Sequence, residues 1–287
     1  MLSRINLPRP VVEKYLRSYI EEDAFYGDCT VVCPDAEVRA EIVAKEDFLL
    51  SGIEFARILF EMCDCCAKPL RKDGEEVKAG DVLMEVRGSA KNVLVAERVA
   101  LNIIQRMSGI ATATKKLVSI VEPYGVRVAA TRKTTPGFRL FEKIAVLHGG
   151  GDTHRMSLSD CVLVKDNHIA VAGSVKKAVE EAKKTSFTKK VEVEVSCLKD
   201  ALEAAKAGAD IIMLDNMDAE EVEKVVEEIR STSEMVVVEV SGGITPENAE
   251  SYARTGVDVI SSGWITHSAR SVDVSMRVVG RDDGCRR

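Results

Sequence analysis

From residue 126 onward, six short runs rich in valine and isoleucine alternate with stretches of helical periodicity, and few folds accommodate that order. The runs occupy 126–130, 161–165, 191–195, 211–215, 236–240 and 257–261, and the helical stretches 137–147, 174–185, 198–207, 219–229 and 246–255. A strand that leaves through a helix re-enters its sheet parallel to its predecessor, so the pattern predicts a parallel sheet covered by helices. Six such strands in succession predict a barrel rather than an open sheet. Ahead of Pro123 and Gly125 the texture differs. Helical spacing at 12–22 and 53–60, an alternating strand at 38–44 and two short strands at 76–78 and 82–86 describe an α+β unit with a small antiparallel sheet. A long helix follows at 92–121, with Val99, Ile103, Met107 and Ile110 as its apolar stripe. Arg98, Asn102, Gln105, Arg106 and Gly109 fall on another side.

Parallel strands covered on both faces read as nearly continuous apolar runs, which makes the polar residues inside them informative. Val191-Glu192-Val193-Glu194-Val195 alternates strictly, sending valines outward and two carboxylates into the barrel. A buried carboxylate needs a cation, a metal or a ligand hydroxyl. Lys165, Asp215 and Glu239 also fall at or near strand C-terminal ends, where barrels of this class carry their active sites. An internal lattice of salt bridges, for instance Lys165 with Glu194, is the purely structural alternative. Ser241-Gly242-Gly243 and Ser262-Gly263 follow the fifth and sixth strands, and neighbouring glycine turns with free backbone N–H groups suit a phosphate.

The net charge of −6 gives no reason to expect nucleic acid or a membrane surface as a partner. Locally the balance reverses. Between 127 and 168, Arg127, Arg132, Lys133, Arg139, Lys143, Arg155 and Lys165 face only Glu142, Asp152, Asp160 and Asp166, with His148, His154 and His168 among them. Neighbouring cations repel a metal ion and the histidine spacings fit no ligand pair on one helix, so the window reads as a site for a small polyanion. No apolar run approaches the ~18 residues of a membrane span, and the N-terminus lacks the apolar block of a secretory signal. Eight cysteines in 287 residues are too sparse for a disulfide scaffold, which predicts a reducing, cytoplasmic setting. Cys63-Asp64-Cys65-Cys66 lacks the second pair of a zinc site and reads as ordinary thiols near a helix end.

Taken together, eight segments resemble one known family, the quinolinate phosphoribosyltransferases, or carboxylating nicotinate-nucleotide pyrophosphorylases. They are A-E-R-V-A-L-N (96–102), T-R-K-T-T-P-G (131–137), G-G-G-D-T-H-R (149–155), V-K-D-N-H (164–168), V-E-V-E-V (191–195), M-L-D-N (213–216), V-S-G-G (240–243) and S-G-W-I-T-H-S (262–268). The resemblance implies an α/β fold: an N-terminal α/β sandwich domain, here 1–115, and an incomplete six-stranded (β/α) barrel, here 116–270. The tail 271–287 is a candidate to return to the first domain, and from Arg281 it reads as frayed. A homodimer whose sites combine both subunits is also implied. So is the reaction: phosphoribosyl pyrophosphate (PRPP) and quinolinate give nicotinate mononucleotide, pyrophosphate and carbon dioxide, with Mg²⁺, in NAD synthesis.

By the same resemblance, Thr131, Arg132, His154 and Arg155 hold the two quinolinate carboxylates, and Arg98 reaches in from the partner subunit. Lys133 and Lys165 neutralise the pyrophosphate and ribose phosphate region, while Glu194 and Asp215 bind ribose hydroxyls or the Mg²⁺–pyrophosphate. These last four are the expected catalytic groups. Ser241, Gly242, Gly243, Ser262, Gly263 and His267 cradle the 5′-phosphate. Two positions depart from the family pattern: Ala130 stands where many members have Asp, and Thr153 where Asn commonly precedes the histidine. Three other readings are open at this point: a relative of the molybdenum-transport-associated type, a Schiff-base lyase using Lys165, and a lipoyl- or biotinyl-carrier pattern over 73–83.

Overall fold

The computed structural model describes residues 7–30, 36–232 and 235–281. These form two compact units, one drawn from the chain up to Thr112 and again from Arg270, the other from Ala113–Ala269. The expected fraying after Arg281 lies outside the described residues.

The first unit runs α1 (Arg9–Asp23), β1 (Glu37–Ala44), β2 (Phe48–Leu49), α2 (Ile53–Met62), β3 (Cys66–Pro69), β4 (Glu76–Val77), β5 (Val82–Ser89) and α3 (Ala90–Val121), whose last turns belong to the second unit. In β1 the alternation becomes burial, with Ala40, Ile42 and Ala44 all closed to solvent. Helix α2 buries Ile53, Phe55, Ala56, Ile58, Leu59 and Phe60. Each large side chain among them contributes roughly 1.5–3 kcal/mol of transfer free energy. The short strand β3 escapes sequence reading because it holds Lys68 and Pro69; as a sheet edge it tolerates the proline. Cys63 ends α2 and Cys66 opens β3; burial pushes the Cys63 thiol up and the Cys65 thiol up to about 12.

The second unit holds β6 (Arg127–Ala130), α4 (Arg139–His148), β7 (Val162–Val164), α5 (Asp166–Ala172), α6 (Val175–Lys183), β8 (Val191–Val195), α7 (Leu198–Ala207), β9 (Ile211–Asp215), α8 (Ala219–Thr232), β10 (Val237–Ser241), α9 (Ala249–Ala253), β11 (Val259–Ser262) and α10 (Trp264–His267). Its strands form one parallel sheet in the order β6-β11-β10-β9-β8-β7. Strands β6 and β7, consecutive in the chain, are thus its two edges. Asp152 extends the β6 edge by a parallel bridge to Ala129. Arg127, Ala129, Glu192, Ile211, Glu239 and Val259 line one cavity of ≈ 380 Å³, joined by Cys161 just ahead of β7. Residues from all six strand regions meet there, so the sheet curls around a lumen, and it remains an incomplete barrel.

The chain then returns to the first unit as β12 (Val274–Arg281), antiparallel to β1, giving the sheet order β12-β1-β5-β3. That return accounts for the glycine at 109, on a side of α3 apart from the apolar stripe. A Cβ there would collide with the Arg270 carbonyl oxygen, because Arg270 and Ser271 cross the helix at this residue. Among the described residues no helix is long and apolar enough to cross a membrane.

Candidate active site

The C-terminal ends of the six strands form a polar rim, and local contacts stitch its neighbours together. Lys165 follows β7 and caps α5; its Nζ pairs with Glu194 Oε2 on β8, the lysine side chain 42% exposed and the glutamate 17%. This is the pair foreseen as the structural alternative, and it sits where a ligand can reach it. Asp215 closes β9, its Oδ2 accepting from Asn216 Nδ2 at 2.7 Å. Asn216 has φ 56° and donates its backbone N–H to the Ser241 carbonyl at 3.0 Å, tying β9 to β10. Gly242, at φ 102°, lies so close to Asn216 that a Cβ would strike its side chain; only glycine makes this turn, which Gly243 continues at φ 59°. The buried Ser262 hydroxyl donates to the Ile244 carbonyl at 2.7 Å, joining the two glycine turns.

Across the sheet edge, Thr131, Arg132 and Lys133 leave β6 in a loop fixed from two sides. Thr266 Oγ1 donates to the Lys133 carbonyl at 2.8 Å, and Gly263 leaves room for both Lys133 and His267, its would-be Cβ only 3.1 Å and 2.9 Å from them. Further along, Thr135 donates its N–H and hydroxyl to the buried Glu142 carboxylate at 3.2 Å and 2.9 Å. The rim therefore gathers Thr131, Arg132, Lys133, Lys165, Glu194, Asp215, Ser241, Gly242, Gly243, Ser262, Gly263 and His267 at one end of the sheet.

His154 and Arg155 are placed differently: both line the lumen cavity, with Arg127, Glu192 and Glu239. His154 Nε2 lies 3.4 Å from Glu192 Oε2 and 3.3 Å from Glu239 Oε2. Burial alone would pull the ring's pKa down, but the two carboxylates outweigh it and raise it to about 10. The Arg155 N–H donates to Nδ1 at 2.7 Å, which favours the neutral ring and works against that rise. Full protonation of the ring would break this contact. Either form carries a proton on Nε2. The three ligand atoms lie within 4.8 Å of one another, close enough to share an ion, but an Nε2–H faces the carboxylates as a donor and not a metal as a ligand. Burial also pushes the Glu239 carboxyl above its ordinary range, with Glu192 adding to the rise and His154 opposing it. Arg98 is exposed on α3, in the first unit.

The sequence counts Lys143 in the cationic window that faces a polyanion, but the structure buries it fully on α4. Its Nζ donates to the carbonyls of Thr153 and, at 3.3 Å, Arg155. Burial lowers its pKa to about 8, and Arg139 pushes the same way. The available signal was Glu142-Lys143 interrupting the run 141–146, all six of which are buried.

Profiles of known families fit this architecture. That of the quinolinate phosphoribosyl transferase C-terminal domain matches residues 110–277, and that of the N-terminal domain residues 25–108. The chain belongs to the quinolinate phosphoribosyltransferase family. Within it, the chain is 54% identical over 258 residues to a probable nicotinate-nucleotide pyrophosphorylase [carboxylating] of Archaeoglobus fulgidus, covering 88% of this chain and 99% of that protein. It is 40% identical to the Rattus norvegicus nicotinate-nucleotide pyrophosphorylase [carboxylating], covering 96% and 94%. The solved structure of the Francisella tularensis nicotinate-nucleotide pyrophosphorylase superposes with a TM-score of 0.89 at 39% identity, over 95% and 98% of the two chains.

Proposed function

We propose that this quinolinate phosphoribosyltransferase joins quinolinate to PRPP with loss of carbon dioxide, giving nicotinate mononucleotide and pyrophosphate in NAD synthesis. The observation that carries the reading is the rim: cations, carboxylates and two glycine turns gathered at the strand ends of a barrel whose family is established. Arg132 and Arg155, with Thr131 and His154, take the two carboxylates of quinolinate, since guanidinium forks grip carboxylates bidentately. Ser241, Gly242, Gly243, Ser262, Gly263 and His267 take the 5′-phosphate, and Lys133 and Lys165 neutralise the pyrophosphate. Glycosyl transfer builds positive charge on the ribose while pyrophosphate departs, so fixed charges and positioning supply most of the acceleration. Glu194 and Asp215 bind the ribose hydroxyls.

Mg²⁺ suits the same two carboxylates. Hard oxygen donors at a rim built for phosphates are how this ion is held, through one or two carboxylates plus the substrate's own oxygens. Bound there, it would offset the charge of the pyrophosphate. We further propose a cytoplasmic homodimer in which Arg98 of one copy completes the site of the other; sedimentation equilibrium showing a monomer at assay concentration would remove that element. Schiff-base chemistry at Lys165 is disfavoured, because an amine held as an ion pair with Glu194 is a poor nucleophile.

The test is direct. Purified protein with PRPP and Mg²⁺ is given quinolinate or nicotinate; release of carbon dioxide and nicotinate mononucleotide from quinolinate is expected, and its absence sinks the proposal.

A further inference from the structure

Two carboxylates inside the lumen have no part in the roles just assigned. Glu192 and Glu239 are 0% and 2% exposed, and Oε1 of each has no hydrogen-bond partner among the described residues. Aliphatic side chains would close a barrel wall at lower free energy, so carboxylates here call for a reason beyond packing. What they touch supplies one. Their Oε2 atoms converge on His154 Nε2, while the ring's other nitrogen accepts the backbone N–H of Arg155.

The segment 152–155 is held at almost every polar backbone atom. Asp152 donates to the Val128 carbonyl at 2.8 Å and accepts from Ala130 at 2.9 Å, both on β6. The His154 N–H donates to Asp152 Oδ1 at 2.7 Å, and Lys143 holds the carbonyls of Thr153 and Arg155. His154 itself sits at φ 50°, a left-handed conformation that a residue with a side chain keeps only when its surroundings impose it. The ring reaches across the lumen, from the Arg155 amide to strands β8 and β10.

We propose that Glu192 and Glu239 are positioning residues: through the His154 ring they fix the backbone from which Arg155 presents its guanidinium to the dicarboxylate substrate. His154 then serves twice: it meets the substrate itself and relays the glutamates to Arg155. The inference rests on the reading that Arg155 holds a carboxylate of quinolinate.

Two variants and their combination test it. Glu239→Gln keeps the shape and removes the charge that holds Nε2–H. His154→Asn keeps an acceptor for the Arg155 N–H and tolerates the left-handed backbone, yet is too short to reach either glutamate. Each single variant should raise the KM for quinolinate about ten- to hundred-fold, the range of one charged hydrogen bond, and leave the KM for PRPP unchanged. Because both break the same link, the double variant should be no worse than the more impaired single one. Parallel rises in both KM values would reduce the glutamates to general scaffold and overturn the proposal. Losses that multiply in the double variant would do the same, by showing that Glu239 acts by a route other than His154. Should Glu239→Gln fail to fold, Glu192→Gln takes its place in the same cycle, and an unchanged KM for quinolinate there overturns the inference. Wild-type protein inactive on quinolinate would refute the proposed function instead, so the two failures are distinct.

Discussion

Glu192 and Glu194 stand two residues apart on one strand, face the inside of the same barrel, and occupy opposite surroundings. Glu194 lies at the rim beside a lysine that is 42% exposed, so an incoming ligand can replace either member of the pair. Glu192 is closed to solvent and joined to His154 deeper in the lumen. Alternation along a strand put both carboxylates inside; depth along the barrel axis separates a group free to bind from a group that holds other residues still.

That contrast can be broken or sharpened by experiment. The largest effect belongs to the rim: Lys165→Ala should lower kcat/KM by roughly 10²–10³-fold, the usual loss when one preorganised charge is removed. Its melting temperature should stay close to wild type, because half-exposed pairs contribute about 0–1 kcal/mol to stability. A collapse in melting temperature would make the rim pair structural and erase the distinction. Arg155→Ala comes next, with quinolinate affinity falling by about 2–5 kcal/mol in a titration and PRPP affinity little changed.

A pair of histidines sharpens the comparison through pH. The carboxylates raise the pKa of His154, whereas burial alone lowers that of His148 to about 4. Between pH 6.5 and 4 the unfolded chain therefore binds a proton at residue 148 that the folded chain refuses. The stabilisation is complete above 6.5 and is lost as pH falls toward 4, roughly 3 kcal/mol. His148→Leu should flatten that part of the stability–pH curve measured by urea unfolding, and an unaltered slope would refute the assignment. Smaller again, Glu192→Leu should leave stability unchanged or raise it by about 1 kcal/mol, since it removes one buried carboxyl group and leaves His154 paired with Glu239. The smallest effect is expected at the exposed Lys184–Glu181 pair, where Lys184→Ala should cost no more than about 0.5 kcal/mol.

Much of the barrel is legible in the sequence because buried parallel strands advertise themselves. Strands β8 and β9 and helix α7 occupy the very residues that periodicity selects, and the inward carboxylates of β8 follow from strict alternation. Elements that depend on a distant partner are not legible. Strand β12 has five exposed residues among its eight, and its pairing with β1 spans more than two hundred residues. Helix α5 is too short for a period to emerge. At the site, residue types point to an anion, but that His154 turns to Glu192 and Glu239 while Lys165 turns to Glu194 depends on how deep each residue sits, and no local pattern records depth.

The return of β12 to the first sheet has a further consequence, for the order in which the molecule can be made. Glu41 pairs with Arg277, so this sheet lacks its edge strand until the chain has been synthesised past residue 277. The barrel segment, lying wholly between the two halves of the first unit, emerges earlier and makes mostly local βα contacts, which form fast. During synthesis the N-terminal portion must therefore wait, with the edge of β1 unsatisfied, while the later-made barrel completes itself.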